Sequence, residues 1–198
     1  MTTIAKTISE IRQLFENQGD SEYYGENVSQ FEHAAQTALL AQKQGFDYEV
    51  QVAAFLHDIG HLLSANSTEE LMEVYGRKDH ESVAADWLQA RGFSDKIGIL
   101  IENHVNAKRY LCFVNETYYE NLSEASQKTL GFQGGKMSAD EAKIFEQNPH
   151  FETIIKMRKW DEAAKIEDMK LPKLDYFMNI CEQYLLLNPK KFSHEFFF

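Results

Sequence analysis

Apolar side chains recur along this chain at intervals of three and four residues, which is the spacing of an amphipathic helix. In the opening segment this spacing predicts a helix that ends before Gly19, with apolar positions at Ile4, Ile8, Ile11, Leu14 and Phe15. Ser29 followed by Glu32 has the form of a capping box. It predicts a second helix that runs to about Lys43 and stops at Gly45.

Asp47 has the position of an N-cap for a third helix, which would carry the pair His57-Asp58 at its C-terminal end. The polar segment around Gly25 is predicted to be a loop. Further helices are predicted over residues 67–76, 80–92, 94–108, 123–130, 138–147 and 154–161, and from Pro172 onward. No stretch alternates as a strand does, so the fold class is predicted to be all-α, with residues 1–198 forming a single domain.

The charge composition excludes some classes of binding partner. The 198 residues carry 20 basic and 31 acidic side chains, a formal charge of -11, which argues against a nucleic-acid or anionic-membrane surface. An anionic substrate would therefore need local cations.

Cys112 and Cys181 form no metal-type pair, and no apolar run approaches the roughly 18 residues of a membrane span, so we expect a reduced, cytoplasmic protein. The phenylalanine-rich stretch 192–198 could pack on the domain, contact another subunit or be disordered, and the pattern leaves the oligomeric state open.

The pair His57-Asp58 is costly to bury at the end of an apolar helix unless something binds there. His61 lies one turn beyond His57, and the two oxygens of Asp58 suffice to bridge two cations. Alone, such a pair is more often an ordinary helix end, and a single histidine is more often a satisfied core residue. Here five histidines stand near predicted helix ends or inner faces: His33, His57, His61, His80 and His104. Imidazoles and carboxylates without thiolates suit iron, manganese or zinc.

With the late Asp161, these residues form the ordered pattern H...HD...H...H...D, which resembles the HD-domain superfamily, specifically members that hold two metals. The resemblance implies an HD-domain helical bundle. Six segments, over roughly residues 20–180, are similar to those of the mixed-valent diiron oxygenases that cleave the carbon-phosphorus bond of 1-hydroxy-2-aminoethylphosphonates. They are Tyr23-Tyr24-Gly25-Glu26, His57-Asp58-Ile59-Gly60-His61, residues 104–111, residues 126–130, Gln133-Gly134-Gly135 and Arg158-Lys159-Trp160-Asp161. A more distant likeness is to inositol oxygenase, which shares the diiron chemistry.

The resemblance implies two iron ions, one bound by His33, His57 and Asp161 and the other by His80 and His104, with Asp58 as the bridge. It implies catalytic roles for Asp58 and Tyr23, with Tyr23 able to occupy an iron before substrate arrives. The implied substrate-binding residues are Tyr23, Glu26, His61, Lys108, Ser126, Gln133 and Arg158. Lys108 lies one turn beyond His104 and Arg158 three residues before Asp161, so helix geometry would tie both cations to the metals.

The implied function is an Fe(II)/Fe(III) oxygenase that uses dioxygen on a 1-hydroxy-2-(amino or trimethylamino)ethylphosphonate and releases phosphate with glycine or glycine betaine. Glu26 would meet the amino end, while an aromatic set of Tyr23, Tyr24 and Phe31 could equally enclose a trimethylammonium group. An HD-domain phosphohydrolase acting on a nucleotide or phosphate monoester would share every metal ligand. A third reading is a degenerate HD domain that serves as a sensor or binding module.

Overall fold

The computed structural model describes residues 3–63, 72 and 79–189. These ranges contain twelve helices and one two-stranded antiparallel hairpin. The hairpin strands are β1 (Glu22–Tyr23) and β2 (Glu26–Ser29). The helices are α1 (Thr3–Gln18), α2 (Gln30–Lys43), α3 (Tyr48–Leu56), α4 (Ile59–Leu63), α5 (His80–Gln89), α6 (Asp95–Glu102), α7 (His104–Val114), α8 (Glu116–Glu120), α9 (Glu124–Phe132), α10 (Ala139–Phe145), α11 (Phe151–Ala163) and α12 (Leu174–Leu187). The all-α prediction is confirmed.

Helix α3 is the centre of the bundle. It contacts α2, α6 and α12, and every residue from Val50 to Leu56 is buried. A helix that is mostly apolar on every side gains most free energy when other helices surround it. The side chain of Asp47 starts this helix by accepting a hydrogen bond from the Val50 amide at 3.0 Å, as the sequence predicts. His57 and Asp58 follow directly and are therefore carried into the interior.

Helix α2 begins with the capping box that the sequence predicts. The Glu32 amide donates to Ser29 Oγ at 3.2 Å, and the Ser29 amide donates to the Glu32 carboxylate at 2.7 Å. These bonds satisfy backbone donors that the first turn leaves free. The chain leaves the helix at Gly45, whose φ of 78° suits glycine. Because α2 starts at this cap and packs on α3, the position of His33 relative to α3 is fixed.

The hairpin corrects the prediction of a plain loop around Gly25. Strands of two and four residues are too short to show alternation, and Glu22 pairs with Ser29 across an irregular register. The positive φ of Gly25, 81°, allows the tight reversal between the strands. As a result, Tyr23 and Glu26 stand on a paired element instead of a loose loop.

The predicted helix over residues 94–108 is in fact two helices. Helix α6 ends at Glu102 and α7 starts at His104, with Asn103 between them at φ −100° and ψ 1°. The Asn103 side chain donates to the Ile99 carbonyl at 2.9 Å, which competes with continued helical bonding. The break places His104 at the first position of a new helix, and Lys108 remains one turn further on.

Two predictions lie outside the described residues: the helix over 67–76 and the role of the stretch 192–198. Among the helices that the structure does describe, none combines the length and apolar character needed to cross a lipid bilayer.

Candidate metal centre and substrate cavity

The six predicted metal ligands converge from five helices or helix ends. Helix α2 supplies one and the end of α3 supplies two. The first residues of α5 and α7 and the last turn of α11 supply one each. All of them are buried: His33, His57, Asp58, His80, His104 and Asp161. So many buried polar groups are costly to desolvate unless hydrogen bonds or metal ions replace the water that they lose.

Asp58 lies between two pairs of histidines and turns one oxygen to each pair. Its Oδ2 lies 3.3 Å from His57 Nε2 and 3.7 Å from His33 Nε2. Its Oδ1 lies 3.3 Å from His80 Nε2 and 3.4 Å from His104 Nε2. Oδ1 is buried and accepts no well-formed hydrogen bond within the described structure. This is the arrangement of a carboxylate that bridges two cations.

Within each pair, the histidine nitrogens are close. His33 Nε2 lies 3.2 Å from His57 Nε2, and His80 Nε2 lies 3.1 Å from His104 Nε2. Nitrogens bound to one ion at about 2.0–2.1 Å lie roughly 3 Å apart, so both separations fit a shared metal.

The other ring nitrogens of three of these histidines point at backbone carbonyls. His33 Nδ1 lies 3.0 Å from the Ala164 oxygen, His57 Nδ1 2.9 Å from that of Ala54, and His104 Nδ1 2.7 Å from that of Ile101. A carbonyl only accepts, so each Nδ1 carries the hydrogen and each neutral ring keeps its lone pair on Nε2. The two Nε2 lone pairs within a histidine pair face each other, so they repel unless a cation lies between them.

Asp161 completes the pair formed by His33 and His57. Its Oδ1 lies 3.4 Å from His33 Nε2, and its Oδ2 accepts a hydrogen bond from Arg158 Nη1 at 2.5 Å. Burial alone would raise the pKa of Asp161, but Arg158 and then His33 hold it well below its ordinary value. Asp161 is therefore an anion with one oxygen turned to the histidines.

The electrostatics of the centre favour positive charge between these groups. Burial would lower the pKa of His57, but the Asp58 carboxylate outweighs it and raises the pKa to about 9, so positive charge at Nε2, whether a proton or a metal ion, is favoured. Burial lowers the pKa of His104 to about 3, so that ring stays neutral with its lone pair available. Two groups of donor atoms lie within 4.8 Å of one another, His33 with His57 and Asp58, and Asp58 with His61 and His80. The donor set fits two divalent or trivalent ions.

Tyr23 reaches this centre from the hairpin. Its hydroxyl donates to Asp58 Oδ2 at 2.8 Å, and its ring stacks on His33 with centroids 3.8 Å apart. Burial and the neighbouring Asp58 carboxylate raise the pKa of Tyr23 well above its ordinary value. A protonated phenol therefore lies within reach of the oxygen that faces the first histidine pair.

A cavity of about 60 Å³ opens beside Asp58, His80 and His104. Its other described lining residues are Tyr23, Tyr24, Glu26, His61, Met72, Val105, Lys108, Ala125, Thr129 and Gln133. His61 stacks on His80 with centroids 3.9 Å apart and meets the edge of Tyr24 at 4.7 Å. Burial lowers the pKa of His61 well below its ordinary value, so it is a neutral wall of this cavity.

Lys108 brings a positive charge into the cavity without a carboxylate to match. The residue is 3% exposed, and its Nζ donates to Thr129 Oγ1 at 2.9 Å. No carboxylate among the described residues lies within ion-pair distance of it. Burial, followed by repulsion from Arg158, lowers the pKa of Lys108 to about 7. A buried cation with a neutral partner is a site for an anion.

Comparison with known proteins identifies the family of this chain. The family model described as "HD domain" matches residues 31–147, more than half of the chain. The chain belongs to the HD-domain family. Tyr23, Glu26 and Asp161 lie outside the matched span, while the five other proposed ligands lie inside it.

Three relatives resemble this HD-domain protein over most of its length. A hydroxymethylphosphonate dioxygenase from Gimesia maris is 39% identical over 92% of this chain and 90% of its own. A [1-hydroxy-2-(trimethylamino)ethyl]phosphonate dioxygenase (glycine-betaine-forming) from Leisingera caerulea is 41% identical over 86% of both chains. An uncharacterised protein of Acanthamoeba polyphaga mimivirus is 40% identical over 93% of this chain and 84% of its own.

Most substrate-binding residues predicted for this HD domain line the cavity, but two do not. Gln133 does, with a buried Oε1 that has no hydrogen-bond partner in the described structure. Ser126 lies behind the wall, where its carbonyl accepts from Thr129 Oγ1 at 3.2 Å. Arg158 is also absent from the described lining and is engaged elsewhere. Besides Asp161, it donates to Glu162 at 3.1 Å and to the Tyr118 hydroxyl at 3.2 Å.

Sequence reasoning missed three residues that matter to this site: Thr129, Tyr118 and Lys165. Each is the hydrogen-bond partner of a predicted site residue, respectively Lys108, Arg158 and Glu26. Thr129 fell inside a segment singled out by resemblance, so a partner for Lys108 could have been sought there. Lys165 and Glu26 are 139 positions apart, and no local pattern connects them.

Proposed function

We propose that this protein is a diiron oxygenase that cleaves the carbon-phosphorus bond of a 1-hydroxyalkylphosphonate. The observation that carries the proposal is the cavity itself, which places the buried Lys108 cation in one small space with Asp58. A phosphonate supplies the anion that Lys108 lacks, and the adjacent hydroxyl supplies a ligand for a metal. Two relatives are named as phosphonate dioxygenases, which supports the same reaction class.

Six residues would hold the irons. His33, His57 and Asp161 form the first set, His80 and His104 the second, and Asp58 is shared between them. An iron pair supplies the ability to bind dioxygen and to exchange electrons with it and with the substrate. The backbone carbonyls behind His33, His57 and His104 fix their ring orientations in advance.

The reaction balances without an external reductant. Conversion of the C1 alcohol to a carboxylate with release of phosphate removes four electrons from the substrate, and one dioxygen takes up four. Both oxygen atoms are accounted for, since the carboxylate and the phosphate each gain one. The protein therefore needs no docking site for a reductase or a reduced cofactor.

The chain's own groups bind and orient the substrate. Lys108, positioned by Thr129, neutralises the phosphonate, and Gln133 and His61 supply neutral polar walls beside it. The Tyr23 hydroxyl donates a hydrogen bond to Asp58 Oδ2, and a substrate that approached this oxygen would have to displace the phenol. Ser126 and Arg158 act from behind, through Thr129 and Asp161.

The test is product analysis. Iron-loaded protein is incubated in air with hydroxymethylphosphonate, 2-amino-1-hydroxyethylphosphonate and its trimethylated form, side by side. We expect phosphate together with formate, glycine or glycine betaine, from whichever substrate fits. Hydrolysis of a nucleotide or phosphate monoester, with all three phosphonates left intact, would make the protein an HD-domain phosphohydrolase instead.

A further inference from the structure

Glu26 lines the substrate cavity, yet it already has a cationic partner. Its Oε1 accepts a hydrogen bond from Lys165 Nζ at 2.5 Å, with the side chains 14% and 17% exposed respectively. Lys165 Nζ also donates to Ser123 Oγ at 3.2 Å. Largely desolvated, charge-assisted bonds of this kind hold their geometry far better than a surface ion pair does.

Lys165 is anchored by the backbone on both sides. The carbonyl of the preceding Ala164 accepts the hydrogen bond from His33 Nδ1 at 3.0 Å. The following Ile166 exchanges two hydrogen bonds with the Gln36 side chain, at 2.9 and 3.0 Å. The lysine is therefore attached to a proposed metal ligand and to α2, and its backbone cannot shift without disturbing them.

The same lysine connects three elements around the cavity. Glu26 belongs to the hairpin, Lys165 follows α11, and Ser123 caps α9 by accepting from the Ser126 amide at 3.2 Å. Helix α9 supplies Ala125 and Thr129 to the cavity wall. A ligand that displaced Lys165 from Glu26 would loosen this wall.

The consequence concerns the substituent on the substrate's C1 carbon. Among the lining residues that the structure describes, the carboxylates are Asp58 and Glu26, and Asp58 belongs to the metal centre. A cationic substituent would have to use Glu26, whose charge Lys165 already neutralises. A second cation there would face Lys165 at short range, in a partly dry site where repulsion is strong.

We infer that Lys165 is a specificity-determining residue: it holds Glu26 in an ion pair that disfavours a cationic substituent and directs the cavity towards hydroxyalkylphosphonates with a small, uncharged one. This inference rests on the proposed function for its substrate class. The cavity volume of about 60 Å³ favours the same compact ligands.

The test separates charge from size. Binding of 2-amino-1-hydroxyethylphosphonate and of 1-hydroxypropylphosphonate, which has a methyl group where the first has its ammonium, is measured by calorimetry on iron-loaded protein without oxygen. We expect the wild type to bind the uncharged compound at least about tenfold more tightly. Lys165→Met should shift the affinity ratio towards the amine by about tenfold to hundredfold, the range of one charge-assisted bond. Adding Glu26→Gln should remove that shift.

Lys159→Met is the matched control, since it removes one cation from an exposed position on α11. Lys165→Gln keeps a hydrogen-bond donor without charge and replaces the methionine variant if that one does not fold. A wild type that prefers the amine, a ratio unchanged in both Lys165 variants, or binding of neither compound overturns the inference. If the ratio shifts as expected but no phosphonate is cleaved in air, the proposed oxygenase function fails and the role of Lys165 stands.

Discussion

Asp58 is the residue that joins the two halves of the proposed centre. Its two oxygens face different histidine pairs at 3.3 Å from the nearest nitrogen of each, and no other described carboxylate is placed between both pairs. Tyr23 donates a hydrogen bond to one of those oxygens, and both residues line the substrate cavity. A change at this one side chain should therefore affect metal content before it affects anything else.

Replacing Asp58 with Ala is expected to abolish binding of a metal pair, because it removes the shared ligand. Metal analysis of reconstituted protein should show at most about one iron per chain, with activity lost. The iron content of Asp58→Asn, which keeps the shape of the side chain but not its charge, should lie between those of the wild type and Asp58→Ala. Retention of a full iron pair with normal turnover would show that the bridge is misassigned.

Lys108 should make substrate affinity depend on pH. In the free protein burial, followed by Arg158, lowers its pKa to about 7, so it is charged below that pH and increasingly neutral above it. A bound phosphonate favours the charged form, and binding above pH 7 must therefore take up a proton. We expect the advantage in Kd of wild type over Lys108→Met to be largest below pH 7 and to shrink above it. An advantage that is constant from pH 6 to 9 would contradict this assignment.

The same lysine should lower stability. Its pKa in the folded protein lies below the unfolded value, so the unfolded chain binds more protons and stability contributed at this site is lost as pH falls towards 7. Lys108→Met is accordingly expected to raise the Tm of substrate-free protein near and below pH 7, while it weakens phosphonate binding. A lower Tm in thermal unfolding would show that the lysine has a stabilising partner.

Arg158 is expected to act through Asp161. Its Nη1 holds Asp161 Oδ2 at 2.5 Å, and its other donors are used by Glu162 and Tyr118. Arg158→Ala removes one partner of a buried ion pair and should cost about 3–5 kcal/mol of stability, with reduced iron content. The role implied by the resemblance, in which Arg158 binds the substrate, instead predicts weaker phosphonate binding with iron retained. Parallel measurement of metal content and KM decides between the two roles.

At the scale of elements, the approach of α4 to α5 assembles the second half of the centre. Gly60 permits it: a Cβ there would lie 2.0 Å from the His80 carbonyl oxygen. Since α4 follows Asp58 directly, this contact sets the distance between Asp58 and His80. A glycine that looks like an ordinary helix residue in the sequence is thus a spacing requirement in the fold.

Gly60→Ala should therefore separate the two elements. We expect loss of the ion assigned to His80 and His104, retention of the other, and destabilisation of about 1–3 kcal/mol. Gly131→Ala in α9 is the control, because a Cβ there would meet nothing within 4 Å. Normal metal loading and an unchanged free energy of unfolding in Gly60→Ala would refute the spacing argument.

Local signals explain which elements could be predicted. Ser29, Asp47 and Ser138 each cap a helix through bonds to residues three positions on, so a short stretch of sequence contains the whole interaction. The break at Asn103 depends on a side-chain bond competing with the helix, and the hairpin depends on pairing across a glycine turn. Both are decided by small energy differences that periodicity does not register.

At the scale of the whole molecule, the residues that converge on the proposed metal centre could be predicted through resemblance, but the charge partners of the site residues could not. Lys165 meets Glu26 across 139 positions, and Arg158 turns towards Asp161 although its spacing was equally compatible with the cavity. The net charge of -11 predicts that an anionic ligand needs a local cation, and Lys108 is a buried cation on the cavity wall. Long-range packing decides such pairings, and a single sequence does not contain them in readable form.

If this chain uses dioxygen to cleave a carbon-phosphorus bond, oxygen consumption and phosphate release must be coupled. The most direct measurement is simultaneous recording of oxygen uptake and phosphate release by iron-loaded protein supplied with hydroxymethylphosphonate, or with the hydroxyalkylphosphonate that product analysis shows it uses. The four-electron balance requires one dioxygen consumed for each phosphate released, with no added reductant, and no release after oxygen is removed. Phosphate release that continues at full rate without oxygen would exclude the oxygenase reaction and leave hydrolysis as the reaction of this site.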